Sequence, residues 1–350
     1  MHIDFYEPPA AQKVGGLDQA IRSLRDYLTV NGFSVRVNPS GGGGGQPEVV
    51  HFHGLWQPQF LKVSRRCRQS GIPYVVSPHG MLEPWAWRHK YWKKFWYYYL
   101  FERAHLRNAA VVLATSDQEA ANLSRFVPRE MISTIALGLT DEHSPAFVAA
   151  REKFEWDSEE LVLLFLSRIH RKKGLHLLLL ALGAIAASLP EKWRLVIVGD
   201  GEEKYISQCR TCARANENVF RHTEWQGAVW SEEKWYYYQG ADLFCLPSFS
   251  ENFGLAILEA CQVGTRILTT RNTPWSFLED GRTVFLVEPE VESVQQGLMA
   301  FLKSSPWSQV DREALSHRIH GRFGWQKIGR QYVQLYQQLV SSPETSAKRI

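Results

Sequence analysis

The sequence predicts an α/β fold with two doubly wound parallel-sheet domains. Strand-sized apolar runs alternate with helix-sized stretches through the first half, beginning with His2–Tyr6 and Leu17–Val30. The same alternation restarts at Leu161–Leu166, after a charged stretch between Gly138 and Glu160. Such alternation is typical of parallel sheets covered by helices on both faces.

Length and composition narrow the class of protein. A chain of 350 residues, 45% of them hydrophobic, is long enough for two domains of about 100–200 residues, each with its own core. The net charge of +4 is too small for a general nucleic-acid binder, so we expect no nucleic-acid partner. Five cysteines, an odd number, do not suggest a disulfide framework. The first residues lack a signal-peptide pattern and the apolar runs are short, which predicts a cytoplasmic protein.

Further elements follow from the same alternation. In the first half, strands are predicted at Phe33–Val37, Val49–Phe52, Tyr74–Ser77, Val111–Ala114 and Ile132–Ala136, with a long helical region at Trp85–Arg107. In the second half, strands are predicted at Trp193–Val198, Val219–Arg221, Leu243–Leu246 and Arg266–Thr269. The predicted domains span residues 1–150 and 151–324, and an amphipathic helix at 325–340 is expected to cross back to the first domain. Residues 341–350 are predicted to form a flexible tail.

The stretch 247–260 carries the most chemical information. It follows an apolar strand and opens a helix near Gly254 and Leu255, where first-turn amides and the helix dipole favour an anion such as a diphosphate. Glu251 and Glu259 would repel phosphate, so they suit hydroxyl groups, those of a transferred sugar and of a ribose respectively. The alternative is that Glu251 caps the helix and that Glu259 is a solvated side chain.

An acidic residue, then Phe253-Gly254-Leu255, and a second glutamate eight positions after the first together resemble the signature of the family-4 retaining glycosyltransferases, which have the GT-B fold. The segment 166–174 is similar to the donor-phosphate segment of that family, with Arg168 and Lys173 as its two cations. The resemblance implies a donor site that consists of Gly15, Gly16, Arg168, Lys173, Gly199, Glu251, Asn252, Phe253, Gly254, Leu255 and Glu259. It also implies two Rossmann-like domains that face each other across a cleft.

Arg168 and Lys173 have a chemical rationale in such a site. A leaving nucleoside diphosphate accumulates negative charge as the glycosidic bond breaks, and fixed cations stabilise that charge most in the transition state. They would do so without a metal, and the sequence has no clear Asp-x-Asp motif, so neither a metal nor another cofactor is expected. The alternative is a solvated basic turn ahead of a helix.

His79 follows a predicted strand of the first domain, in the run Ser77-Pro78-His79-Gly80. Family members often have His-Asp here, and their histidine hydrogen-bonds the reacting sugar. The resemblance therefore implies a catalytic role for His79 beside Glu251, Arg168 and Lys173, whereas the missing acid leaves its orientation open. Glu83 is a candidate substitute for that acid, and a purely structural histidine is the alternative.

His53 and Trp56 are candidates for the acceptor side of the site, because they follow another strand of the first domain. His51 and His53 point to one side of that strand, which makes metal binding conceivable, but no third ligand is evident. Ordinary packing is the alternative for this segment.

The implied reaction is metal-independent, front-face transfer of a hexose-type sugar from a nucleoside-diphosphate sugar to a glycan or lipid-linked acceptor. One rival is a sugar-nucleotide-binding protein that has lost turnover. Another is a nicotinamide oxidoreductase, which is disfavoured because Gly199-Asp200-Gly201 lacks the third glycine of the dinucleotide fingerprint.

The segment Arg88–Arg107 combines six Arg or Lys residues with Glu102 alone, a local charge of +5, and eight aromatic rings. Cations interleaved with Trp and Tyr are typical of helices that bind anionic lipid surfaces. Family members that build cell-surface glycans such as lipopolysaccharide often dock in this way. We therefore expect a peripheral location on the inner face of the plasma membrane, with core packing of the rings as the alternative.

Overall fold

The computed structural model describes residues 1–9, 15–39, 45–88, 91–139, 146–229 and 232–341, and the chain forms two compact units. The first unit comprises Met1–Thr140 with Phe323–Ile350, and the second comprises Asp141–Arg322. The boundary between the units therefore lies after Thr140, ahead of the expected position at residue 150. The helix Phe147–Lys153 belongs to the second unit, where it packs on the helix Glu233–Gly240. The predicted tail lies, from residue 342 onward, outside the described residues.

The first unit contains a six-stranded parallel sheet with the order β2-β1-β3-β4-β5-β6. Its strands are β1 His2–Tyr6, β2 Ser34–Val37, β3 Val49–His53, β4 Tyr74–Ser77, β5 Val111–Ala114 and β6 Ile132–Thr134. Its helices are α1 Gly15–Val30, α2 Pro58–Gln69, α3 Pro84–Arg88, α4 Tyr91–Tyr97, α5 Arg103–Arg107, α6 Asp117–Leu123 and the C-terminal helix α15 Trp325–Ser341. A short 3-10 turn precedes β6 at Arg129–Met131.

Two hydrophobic clusters form the core of the first unit. In one cluster Phe52, Tyr74 and Val76 pack against helices, and in the other Ile3, Phe5 and Val75 do. The C-terminal helix contributes to the second cluster through its buried face, which consists of Ile328, Tyr332, Leu335 and Tyr336. The amphipathic spacing of these residues explains why α15 packs in the first unit although it follows the second along the chain.

The second unit contains another six-stranded parallel sheet, in which the order is β9-β8-β7-β10-β11-β12. Its strands are β7 Leu161–Leu166, β8 Trp193–Val198, β9 Thr223–Gly227, β10 Leu243–Leu246, β11 Arg266–Thr270 and β12 Val284–Val287. Its helices are α7 Phe147–Lys153, α8 Leu175–Ala184, α9 Glu203–Arg214, α10 Glu217–Arg221, α11 Glu233–Gly240, α12 Leu255–Gln262, α13 Val291–Lys303 and α14 Gln309–Phe323. Short 3-10 turns lie at Arg171–Lys173, Ala186–Ser188 and Ser276–Leu278.

One prediction of secondary structure is wrong. Val219–Arg221 is helical, because the Asn216 side chain caps α10 by accepting a hydrogen bond from the Val219 N–H at 3.2 Å, and the strand starts only at Thr223. The helical region predicted at Trp85–Arg107 is confirmed in the described residues, where it consists of α3, α4, a π-helical turn at Tyr98–Glu102 and α5. Among the helices that the structure describes, none is both long enough and apolar enough to cross a membrane.

Candidate functional site

The sheet of the second unit reverses its strand order between β7 and β10, which are neighbours. In open α/β sheets, ligands bind at such a point, outside the carboxyl ends of the strands. The segment that leaves β7 contains Arg168 and Lys173, and the segment that leaves β10 contains Ser248 and Glu251. The topology thus brings two of the predicted donor segments to one edge of the sheet.

A glycine allows these two segments to touch through their backbones. Gly174 has a φ of +73°, and a methyl group on its Cα would overlap the carbonyl oxygen of Pro247. Beside it, the N–H of Phe249 donates to the carbonyl of Lys172 at 2.8 Å. Any other residue at position 174 would be strained and would also push the segments apart.

Lys173 and Glu251 form an ion pair across these segments. The Lys173 Nζ donates to Glu251 Oε1 at 2.7 Å, and the Ser248 Oγ donates to the same oxygen at 2.6 Å. Burial by itself would raise the pKa of the Glu251 carboxyl, but the charges of Lys173 and Lys172, with hydrogen bonds from Lys173 and Ser248, bring that pKa below its usual value. Glu251, 6% exposed, is therefore a buried carboxylate at neutral pH.

Arg168 lies at the same edge, immediately after β7. Its side chain is exposed, and it forms no hydrogen bond or ion pair with any residue in the described ranges. Gly199, with a φ of +144°, packs against this segment so closely that a methyl group would overlap the Ser167 carbonyl oxygen. Gly199 therefore supports the backbone beside Arg168.

The helix α12 begins directly after the Glu251 segment. Its N-cap is Gly254, with a φ of +82°, and no side chain caps it, so the alternative that Glu251 caps this helix is wrong. The N–H groups of Leu255 and Ala256 donate to no other described residue. Such first-turn amides, at the positive end of the helix dipole, are suited to an anion.

Buried aromatic residues support the segment that precedes α12. Trp275 is fully buried, and its Nε1–H donates to the Phe253 carbonyl at 2.6 Å. The Phe253 ring is itself 5% exposed and lies 5.8 Å from the Trp275 ring. Phe253, predicted at the donor site, therefore serves the core, whereas Asn252 is half-buried beside it.

Glu259 lies on the second turn of α12 and is 5% exposed, so the alternative of a solvated side chain is wrong. Its Oε1 accepts from Lys234 Nζ at 2.7 Å, and its Oε2 accepts from the Tyr238 hydroxyl at 3.0 Å. Both donors lie on α11. Each carboxylate oxygen keeps a second lone pair, which could accept a hydroxyl of a ligand.

In the first unit, the structure brings His53 and His79 together. His53 Nδ1 and His79 Nε2 are 3.2 Å apart, and both rings line a small pocket with apolar residues of α1 and α15. Burial lowers the pKa of His79 to about 4, so its ring is neutral at pH 7. The ring partner of His79 is thus His53, in place of the Glu83 considered from the sequence.

The other first-unit candidates lie elsewhere. The ring of Trp56 lies 6.0 Å from the Tyr97 ring and its backbone N–H donates to Glu102 at 3.2 Å, so Trp56 contacts the segment Arg88–Arg107. Gly15 and Gly16 begin α1, immediately after residues 10–14, which are outside the described ranges. In the described ranges, no group of three or more His, Cys, Asp or Glu could hold a metal ion.

Comparison with models of protein families finds one match in each unit. The family described as "Glycosyl transferases group 1" matches residues 148–318, and the family described as "Glycosyl transferase 4-like domain" matches residues 6–138. The chain therefore consists of a glycosyltransferase 4-like domain followed by a group 1 glycosyltransferase domain. The first match contains the Lys173–Glu251 pair and Glu259, and the second contains His53 and His79.

Individual relatives of this glycosyltransferase are distant. It is 25% identical over 256 residues to a D-inositol 3-phosphate glycosyltransferase from Corynebacterium urealyticum. The alignment covers 69% of this chain and 60% of that protein. The chain therefore matches less than two thirds of the length of this relative.

Solved structures agree on the fold of the glycosyltransferase. Sucrose-phosphate synthase from Thermosynechococcus elongatus has a TM-score of 0.78 and 20% identity, over 98% of this chain and 100% of that chain. HepE from Anabaena, in complex with UDP-glucose, has a TM-score of 0.69 and 16% identity, over 97% of this chain and 100% of that chain. The predicted fold class, GT-B with two Rossmann-like domains, is confirmed.

Several residues of the candidate site escaped the sequence prediction. Ser248 belongs to the motif but carries no signal that it would bind Glu251. Lys234 and Tyr238 lie on α11, more than 20 residues before Glu259 and outside its motif. Only the packing of α11 on α12 reveals their contact with Glu259.

Proposed function

We propose that this glycosyltransferase is a retaining enzyme that moves a hexose from a nucleoside-diphosphate sugar to a glycan or lipid-linked acceptor. The observation that carries the proposal is the buried Lys173–Glu251 pair at the strand-order reversal, with exposed Arg168 and the first-turn amides of α12 on the same unit. The complex of HepE with UDP-glucose supports a donor of this class.

The diphosphate of the donor accepts hydrogen bonds from the backbone N–H groups of Leu255 and Ala256, where the helix dipole favours negative charge. Arg168 supplies an exposed guanidinium, and Lys173 retains two ammonium protons beyond the one donated to Glu251. Both cations stabilise the leaving diphosphate most when its charge is greatest, which is in the transition state. Glu259 accepts the ribose hydroxyls.

Glu251 accepts a hydroxyl of the transferred sugar. Its Oε1 is occupied by Lys173 and Ser248, so Oε2 is the oxygen that remains for the sugar. In front-face transfer, the bond from the anomeric carbon to the donor phosphate oxygen breaks, and the acceptor oxygen bonds to that carbon from the same side. The acceptor proton passes to the departing phosphate. No protein nucleophile is required, and the products are the glycoside and the nucleoside diphosphate.

The stereochemistry of the product tests this proposal. An α-configured nucleotide-sugar should give an α-linked product, which the anomeric proton coupling in an NMR spectrum distinguishes from a β-linked one. A β-linked product would contradict the retaining mechanism.

Transfer should not require a divalent metal, because Arg168 and Lys173 supply the positive charge on the diphosphate. We expect the rate of nucleoside diphosphate release to change less than twofold when EDTA is added to the enzyme. Loss of activity with EDTA, followed by recovery with magnesium or manganese, would contradict this role of the two cations.

We also propose that the segment Arg88–Arg107 docks on anionic membranes. Its exposed apolar side chains include Trp92 at 71%, Leu100 at 65% and Trp96 at 60% exposure. Lys93, Arg103 and Arg107 are exposed as well. Tyr98 is buried and Lys94 donates to the carbonyl of Ala86, so these two pack inward. This arrangement supports a peripheral enzyme that works on a lipid-linked or cell-surface glycan, as in polysaccharide or lipopolysaccharide synthesis.

Reversing the exposed charges should release the protein from anionic vesicles. Each Lys or Arg near an anionic surface contributes about 1 kcal/mol, so the triple variant K93E/R103E/R107E should bind about 100-fold more weakly at low salt. Co-sedimentation with phosphatidylserine vesicles measures the effect. The matched control K62E/R65E/R66E makes the same charge change on exposed residues of α2. Equal losses in both variants would show a general charge effect and would contradict docking through this segment.

A further inference from the structure

We propose that His53 is a positioning residue, which fixes the tautomer and the orientation of the His79 ring. This inference rests on the proposed function, since it assigns the other nitrogen of His79 to the reacting sugar. The sequence predicts that His53 lines the acceptor side, with ordinary packing as the alternative.

The two histidines meet because their strands are neighbours. His53 ends β3, and the parallel register pairs it with Ser77, the last residue of β4, so that His79 follows two residues later. The Gly54 N–H donates to the Ser77 carbonyl at 2.7 Å and continues this alignment past the strand ends. The ring planes differ by 9° with centroids 5.5 Å apart, which suits a hydrogen bond between ring edges.

A hydrogen bond between two imidazole nitrogens needs one N–H and one lone pair. Two protonated rings would instead direct N–H groups at each other. Because His79 is neutral at pH 7, a single proton lies between His53 Nδ1 and His79 Nε2. If that proton belongs to His53, then His79 Nδ1 is a donor; if it belongs to His79, then Nδ1 is an acceptor. The contact with His53 therefore determines what His79 offers to a sugar.

Within the described residues, His53 is the hydrogen-bond partner of the His79 ring. The pocket walls around the two rings are mostly apolar, with Ile21, Leu24 and Leu137 among them. The Nδ1 of His79 is shielded from solvent and has no hydrogen-bond partner within the described residues. A ring without a second polar contact would lose its fixed tautomer if His53 were removed.

The backbone of His79 adds to the constraint. Its φ of +51° lies in the left-handed region, which a non-glycine residue adopts at a cost and which is found at functional sites. The next residue is held in place, since the Gly80 N–H donates to Glu119 Oε1 at 2.6 Å. The loop thus fixes the position of the His79 backbone, and His53 fixes the orientation of the His79 ring.

His51 differs from His79 in the partners of its two ring nitrogens. It is fully buried, its Nδ1 contacts the Tyr336 hydroxyl at 2.8 Å, and its Nε2 contacts Ser77 Oγ at 2.7 Å. Both nitrogens of His51 have partners inside the unit, as expected for a structural histidine. His79 has one nitrogen bound and one left over, as expected for a residue that contacts a ligand.

The test compares His53→Phe, which keeps a ring but removes the nitrogen, with His53→Asn, which keeps an amide group near the Nδ1 position. Long-range ¹⁵N–¹H NMR of the histidine rings should show one tautomer for His79 in the wild type and in His53→Asn, and a mixture in His53→Phe. Turnover should fall about five- to tenfold in His53→Phe, with the KM for the donor within about twofold, and His53→Asn should recover most of it. His79→Ala should cost less in the His53→Phe background than alone.

Tyr336→Phe is the matched control, because it removes a buried hydrogen bond from the neighbouring histidine and should leave turnover unchanged. An unchanged His79 tautomer in His53→Phe, equal losses in both His53 variants, or additive losses with His79→Ala would each overturn the inference. If the wild type neither hydrolyses nor transfers any nucleotide-sugar, the proposed function fails, whereas the tautomer measurement still decides the role of His53.

Discussion

Replacing Lys173 by alanine should lower turnover by about 10²- to 10³-fold, the usual loss when a group that stabilises transition-state charge is removed. Two effects combine in this variant. The leaving diphosphate loses a fixed cation, and Glu251 remains as a buried carboxylate with Ser248 as its remaining donor. Glu251→Gln should have a loss of similar size, because it removes the charge that holds Lys173 in place.

Steady-state kinetics of nucleoside diphosphate release measure these losses. Arg171→Ala is the matched control, since this cation is exposed, lies two residues away and is not paired with Glu251. Its turnover should change less than twofold. Glu259→Ala should instead raise the KM for the donor by about ten- to hundredfold with a smaller effect on turnover, because it loses contacts to the ribose. Equal losses in the Lys173 and Arg171 variants would contradict the assignment.

Gly174→Ala should destabilise the second unit by about 3 kcal/mol and abolish donor binding. The left-handed φ of +73° contributes about 1–2 kcal/mol of this cost for any residue with a Cβ. The rest arises from overlap of the new methyl group with the Pro247 carbonyl, which would separate Lys173 from Glu251.

The control for this prediction is Gly281→Ala. Gly281 has a similar φ of +67°, but a Cβ there would meet no atom within 4 Å. The Gly281→Ala variant therefore carries the free-energy cost of the left-handed backbone but has no steric overlap, and its donor binding should survive. Urea unfolding gives the stability of both variants, and isothermal titration with UDP gives their binding. Equal effects would show that the close approach to Pro247 is unimportant.

Much of the fold could be predicted because each strand is a short apolar run followed by a helix-sized stretch. The prediction was wrong at Val219–Arg221, where a run this short fits strand and helix equally well. Asn216, the residue that decides in favour of the helix, acts through a cap that the apolar pattern does not register.

The candidate site was predictable where its residues belong to one motif. Glu251 and Glu259 lie in one segment, and their spacing carries the information. Contacts between distant segments depend on the topology, so the sequence could not predict that Lys173 binds Glu251, 78 residues later, or that His53 contacts His79. The strand order determines these contacts, since it places the ends of neighbouring parallel strands side by side.

We expect the Lys173–Glu251 site to cleave a nucleotide-sugar. The most direct test is the release of UDP, ADP or GDP from a panel of nucleotide-sugars by the wild type and by Lys173→Ala, each measured with and without a glycan acceptor. We predict that the wild type releases one nucleoside diphosphate and that Lys173→Ala loses at least about 99% of this activity. Release at the same rate by both proteins, or by neither with any donor, would contradict the claim.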